Sequence, residues 1–267
     1  MTRWICGLSY DGTDYCGWQT QPTPAHARPA LQDVVETALA SIAGHAVATR
    51  CAGRTDAGVH ALHQVIQFDS DAERPASAWI RGVNAHLPDA VAIRWAIQSD
   101  AGFDARFSAT ARTYWYALLD APVRPPLWRS RAGWTHRPLD PQRMLEAAGF
   151  LVGTHDFSAF RAAGCQAATP VRTVEAIDIV REGGFLLLSI TANAFLHHMV
   201  RNIVGALVYV GDCRRPAAWM AEVLASRQRA AAAPTFAACG LYLAAVRYDP
   251  KWRLPIAFPA PRLCELV

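Results

Sequence analysis

The sequence predicts an α+β chain in which one order of elements, β-α-β-β-α-β, runs twice. Two observations predict it. Apolar residues switch between strand-like alternation and helical spacing in that order on both sides of a linker near Gln98 to Ala109. The composition, 52% hydrophobic and 18% charged over 267 residues, is that of a folded chain with a large core.

In the first half, Thr2 to Ser9 reads as a strand, followed by a polar loop with glycine, tryptophan and proline to Pro29. Leu31, Val34, Val35, Ala38, Leu39 and Ile42 then repeat at helical spacing, and Gly44 supplies the stop. Ala46 to Cys51 and Leu62 to Phe68 read as two strands, Ser77 to His86 as a helix halted at Leu87-Pro88, and Val91 to Ile97 as a strand.

The second half repeats the pattern. Arg112 to Leu119 is a predicted strand, and Asp140-Pro141 is an N-cap and first-turn pair opening a helix that closes at Gly153. Val174 to Val180 and Phe185 to Thr191 form a predicted hairpin around Gly183-Gly184. Helices over His197 to Val210 and Pro216 to Ser226 and a strand over Leu241 to Arg247 complete it. This order is the ferredoxin-like split unit. The expected domains are 1–104 and 105–267, whose sheets can join into one broad surface with a cleft between the halves.

Composition excludes several classes. The seven cysteines are scattered, with no C-x-x-C pair, so neither a disulfide framework nor a zinc ribbon is indicated. Met1-Thr-Arg-Trp-Ile-Cys6 has no signal-peptide core, and no run reaches the roughly 18 apolar residues of a membrane span. The expected location is the cytoplasm. A net charge of +4 does not by itself establish a nucleic-acid partner, although Lys251 is the sole lysine and every other basic residue is arginine.

The chemistry-bearing stretch is Cys51 to His60, a short acidic loop between two predicted strands. Asp56 lies between Gly53 and Gly58, with Arg54 two residues before it. Glycines allow a sharp turn and close approach of a bulky ligand, and a neighbouring guanidinium favours the ionised carboxylate that a nucleophile needs. A solvated turn capped by its own aspartate is the plain alternative. Histidines at 60, 63, 197 and 198 invite a metal reading. His60 and His63 fall on opposite faces of a strand and no acid or cysteine completes a tetrahedral set, so no metal site is expected.

Gly53-Arg-Thr-Asp-Ala-Gly-Val-His60 resembles the catalytic motif of the tRNA pseudouridine synthase A family. Tyr10 to Gln19, Val83 to Pro88, Ala105 to Arg112 and Asn193 to Gly205 resemble that family too, in its order, so the likeness spans about Ile5 to Tyr248. The resemblance implies two ferredoxin-like domains on a central, mostly antiparallel sheet with helices on one face and the active site in the cleft. It also implies uridine-to-pseudouridine isomerisation at tRNA positions 38, 39 and 40, with tRNA as partner, a homodimer and no cofactor. By residue match, Asp56 is the expected nucleophile. Tyr114 is the expected uracil-stacking and proton-transferring residue, and Arg201 the expected ion-pair partner of Asp56. Arg54 is expected to contact substrate, taking the place of the extruded base or gripping its phosphate.

Physical reading of the same residues is compatible. The helix around Arg201 is apolar on nearly every face, so a guanidinium there needs a partner. Arg112, Tyr114 and Tyr116 alternate onto one strand face, where a tyrosine can stack on a base. One departure is visible: Arg28-Pro-Ala-Leu-Gln32, after a long loop over 22–27, stands where the family has an Arg-Thr/Ser-Val-Gln run. Two rival readings remain: a tRNA-binding protein without catalysis, for which the acid would be superfluous, and a hydrolase, which would need a second acid or base that the sequence does not offer.

Overall fold

Apolar alternation makes Thr2–Tyr10 the first strand, β1, in a computed structural model that describes residues 1–21, 28–100 and 102–255. The long loop over 22–27 lies outside the described residues. Helix α1 (Leu31–Ala43) buries Leu31, Val35, Ala38, Leu39 and Ala43, and Gly44 ends it in the left-handed conformation, its amide bonded to the Ala40 carbonyl. Strands β2 (Arg50–Cys51) and β3 (His60–Ser70), a helical stretch containing a π turn at Ala78–Gly82, and β4 (Val91–Ser99) follow. Then come β5 (Ala109–Asp120), β6 (Gly133–Thr135), α2 (Pro141–Gly149) and β7 (Gly153–Asp156). The remainder is β8 (Val171–Glu182), β9 (Phe185–Ala192), α3 (Met199–Gly211), α4 (Trp219–Ser226) and β10 (Leu241–Tyr248). The chain is α+β, as its periodicity predicts.

Internal contacts divide the described residues into two units: Met1–Thr110 with residues 242–255, and Ala111–Leu241. The boundary drawn from the sequence assigned β10 wholly to the second domain, whereas from Tyr242 onward its contacts group it with the first. The cause is its pairing: Tyr242 and Leu243 run parallel to His60 and Ala61 of β3.

In the first unit β1 lies between β3 and β4, antiparallel to both, with Cys6 opposite Ile66 and Ala96. One edge of β3 is shared: β2 takes Ile66 and Gln67, and β10 takes the end that begins at His60. The core includes Ile5, Leu8, Leu31, Leu39 and Ile66, and the buried Trp79 ring meets Trp4 at 5.7 Å and Phe68 at 5.0 Å. The strand expected over Ala46 to Cys51 shortens to two residues, because the amide and hydroxyl of Thr49 turn to the Glu36 carboxylate instead of a neighbouring strand.

In the second unit β9 pairs antiparallel with β5 and with β8, and β8 with β7; β6 runs parallel beside Leu118–Asp120 of β5. Phe157, Phe160, Leu186, Leu188, Ile190, Ile203, Val204 and Leu207 form its core. Asp140 caps α2 as expected, accepting from the amides of Gln142 and Arg143 at 2.9 and 3.2 Å. Two expected boundaries move. The second-half helix closes at Gly149 and Gly153 opens β7, and α3 begins at Met199 because His198 holds the left-handed conformation, φ 62.

Candidate active site

The Asp56 loop is tied down on both sides through its backbone. Gly17 and Asp56 form an antiparallel bridge, the Trp18 amide donates to the Thr55 carbonyl at 2.9 Å, and the Val59 amide closes a turn on the Asp56 carbonyl at 3.1 Å. Gly58 turns the chain with φ 75. Before the acid, the buried Gln64 side chain brackets Gly53: its Nε2 donates to the Gly53 carbonyl at 2.6 Å and its Oε1 accepts the Gly53 amide at 3.4 Å. Thr55 is buried, its hydroxyl 2.8 Å from that of Tyr10. Asp56 itself is half-buried, and Arg54 is exposed.

The first loop is the other wall of this arrangement. His60, only 2% exposed, accepts the Gly12 amide on Nδ1 at 3.1 Å, lies 3.0 Å from Oδ1 of Asp11, and stacks on Tyr242 at 4.7 Å. A side chain at Gly12 would collide with the Val59 carbonyl, 2.0 Å from the position of its Cβ. The glycines of the Tyr10 to Gln19 motif therefore let the first loop press against the acidic one. Burial pushes the thiol of Cys51 up to about 12, so it stays protonated and the carboxylate is the loop's candidate nucleophile.

In the second unit, Tyr114 on β5 is 8% exposed, with its ring edge-on to Phe195 at 5.0 Å. Arg112 on the same strand is buried and donates to the Asn193 carbonyl at 3.0 Å. Tyr116 belongs to the core, where its hydroxyl donates to the Ala237 carbonyl at 2.9 Å. Arg201 is half-buried, not buried: it and Tyr209 are the residues of α3 outside that helix's buried set. Its Nε donates to the Phe236 carbonyl at 2.9 Å.

Gln64, Tyr10 and Gly17 carry the acidic loop, and none was assigned a role from the sequence. Gln64 had left a signal, an amide directly before the apolar Val65-Ile66 pair of a predicted buried strand, where a buried polar group needs partners.

A family model described as tRNA pseudouridine synthase matches residues 8–108 and 147–249. The chain belongs to the tRNA pseudouridine synthase family. Proteins named tRNA pseudouridine synthase A are similar over nearly their whole length. That of Bordetella petrii is 54% identical over 256 residues, covering 95% of this chain and 94% of its own. That of Aromatoleum aromaticum is 54% identical over 253 residues, 95% and 94%. The Thiobacillus denitrificans protein is 52% identical over 255 residues, 96% of each. A solved H/ACA RNP bound to a substrate RNA containing 2′-deoxyuridine aligns over 77% of this chain and 44% of that one, with TM-score 0.35 and 13% identity, too distant a likeness to bear on the site. Asp56 and Arg201 fall within the matched stretches of this isomerase family, and Tyr114 falls between them.

Proposed function

We propose that this enzyme converts uridine to pseudouridine at positions 38, 39 and 40 of the tRNA anticodon stem-loop, with Asp56 as nucleophile. The reaction breaks the N1–C1′ bond, turns the uracil and joins C5 to C1′. The proton lost from C5 is balanced by the one gained at N1, so the change is an isomerisation without redox or added groups. The carboxylate attacks either C1′ of the ribose or C6 of the base.

The observation that carries this reading is the backbone restraint of Asp56. Hydrogen bonds at Thr55, Asp56 and Val59 fix the backbone that carries its side chain. A held carboxylate loses little freedom when it meets a reacting carbon. Membership in a tRNA pseudouridine synthase family supports the substrate class. In the proposed roles, Tyr114 stacks on the uracil and transfers a proton, and Arg201 pairs with Asp56. The exposed Arg54 occupies the vacated stack or grips phosphate, which is useful because extruding a stem base costs a few kcal/mol. Modifying neighbouring positions calls for recognition of tRNA shape, and a homodimer would let one tRNA touch both subunits. The location proposed for an enzyme of tRNA is the cytoplasm; among the described residues no helix is long and apolar enough to cross a membrane.

The test is carbodiimide-primer extension on unmodified tRNA. Stops at 38 to 40 with the wild type and none with Asp56→Asn, at unchanged tRNA affinity, are expected. Turnover by the variant near the wild-type rate would refute the nucleophile, and tight binding without stops for either protein would make this a binding protein.

A further inference from the structure

Between β5 and α2 the chain makes an excursion, residues 121–139, that holds four arginines (Arg124, Arg129, Arg131 and Arg137) and no acid. Its formal charge equals that of the whole protein, +4, so the remainder of the chain carries as many acidic as basic residues. All four arginines are exposed. Six arginines elsewhere are paired with carboxylates: Arg3 with Asp69, Arg50 with Asp104, Arg143 with Asp140, Arg181 with Asp120, Arg214 with Asp212 and Arg227 with Asp156. Among the described residues Arg124, Arg129 and Arg137 have no carboxylate partner.

The excursion is built, not loose. The Ala121 amide donates to the Thr135 carbonyl at 3.1 Å, and Trp134 Nε1 donates back to the Ala121 carbonyl at 2.8 Å. The Trp128 ring meets Phe185 edge-on at 5.2 Å, and the guanidinium of Arg124 lies over Trp134, 5.6 Å from its centroid. The Arg124 guanidinium, held over Trp134, loses little freedom on meeting phosphate, and the planar arginine fork matches phosphate oxygens. The segment lies between the two stretches that match the family model.

We propose that Arg124, Arg129 and Arg137 form a docking surface for the sugar–phosphate backbone of the tRNA, remote from the reacting base. This deepens the proposed function and rests on it for the identity of the RNA. The surface begins at the end of β5 six residues beyond Tyr114, on the order of 20 Å along the strand. Its contribution is therefore to hold and orient the tRNA body, not to touch the uracil. Contacts to phosphate release counterions, so each makes binding steeper in salt by about 0.7 to 0.9 in the slope of log K against log salt.

The experiment compares wild type, the triple variant R124Q/R129Q/R137Q and the charge-preserving R124K/R129K/R137K. It measures tRNA affinity from 50 to 200 mM KCl, together with kcat and KM for pseudouridine formation. The glutamine variant is expected to lower the salt slope by about 2, to raise KM about tenfold or more at the low-salt end, and to keep kcat within about twofold. The lysine variant should keep the wild-type slope. A glutamine variant with unchanged slope and KM, or a lysine variant as weak as the glutamine one, would overturn the proposal. Should the triple variant fail to fold, single glutamine variants read the same slope, each with a loss of about one or none. Failure of the wild type to make pseudouridine would count against the proposed function alone, because the slope is measured on binding.

Discussion

Arg201 and Phe236 hold each other by two hydrogen bonds: Nε of Arg201 donates to the Phe236 carbonyl at 2.9 Å, and the Phe236 amide donates to the Arg201 carbonyl at 3.2 Å. The Arg201 side chain is thus held by a strap, residues 229–236, that runs beside α3. Asn202, fully buried, fastens the strap. Its Oδ1 accepts from the Thr235 hydroxyl at 2.7 Å and from Arg229 at 3.1 Å, while its Nδ2 donates to the Phe160 carbonyl at 2.8 Å.

Asn202→Ala should therefore be costly in two separable ways. It removes the acceptor shared by Thr235 and Arg229, which keep their own bond at 3.1 Å, and the donor to the buried Phe160 carbonyl, a loss of about 1 to 3 kcal/mol in urea unfolding. Thr235→Val removes the bond to Asn202 and the one the hydroxyl accepts from Arg229, and should cost about 1 to 2 kcal/mol. Because Arg201 is aimed through Phe236, the folded alanine variant should lose kcat more than it raises KM. Equal stability of Asn202→Ala and wild type would show that the strap is held by other contacts.

Gly17 faces Asp56 with φ 109, and a Cβ there would stand 2.8 Å from the Thr55 carbonyl and 3.2 Å from the Ala57 amide. Gly17→Ala must either strain its own backbone or push the acidic loop away. The strain is about 1 to 2 kcal/mol, small against the stability of a domain of this size. Displacement of a reacting group by an ångström costs about a hundredfold in rate. Single-turnover kinetics on tRNA should thus fall about a hundredfold while the melting temperature drops by only a few degrees. Wild-type kinetics in the variant would show that the bridge does not position Asp56.

Tyr114→Phe keeps the ring and its edge contact with Phe195, so the fold and the stacking surface should survive. If the hydroxyl moves a proton at C5, the rate of pseudouridine formation should fall about a hundredfold or more, with tRNA affinity little changed. An unaltered single-turnover rate would restrict Tyr114 to stacking.

The elements legible in the sequence are those with a long period or a marked end. Helix α1 with its Gly44 stop, α2 with Asp140-Pro141 and the β8–β9 hairpin at Gly183-Gly184 were all predictable from local residues. Strands β6 and β7 escaped because three or four residues cannot display a period, and β6 is defined by its parallel partner in β5. The acidic loop was legible as a motif, but its restraint was not. Gly17 lies 39 positions before Asp56, and Gly12 lies 48 before His60, so only the folded register brings them together. The half-burial of Arg201 escaped for a related reason: the strap beside α3 comes from residues 229–236, beyond the helix whose periodicity was read.

His63 supplies a prediction about pH. It is 5% exposed, its ring lies 6.0 Å from that of Trp95, and among the described residues neither ring nitrogen has a hydrogen-bond partner. Burial lowers its pKa to about 4, from an ordinary value near 6.5. The native state therefore holds the neutral ring while the unfolded chain takes up a proton below about pH 6.5. Its contribution to stability is complete above that pH and declines as pH falls toward 4, at up to about 1.4 kcal/mol per pH unit and about 3 kcal/mol in all. The carboxyl of Asp69, held below the ordinary range by its hydrogen bond from Arg3, loses its contribution only as pH falls below about 4, so the two windows separate. Urea unfolding at pH 7 and pH 5 should show wild type losing about 2 kcal/mol more over that interval than His63→Leu, which has no proton to gain. Equal losses in the two proteins would mean that the buried ring accepts a proton in the native state, and would assign the acid sensitivity to other groups.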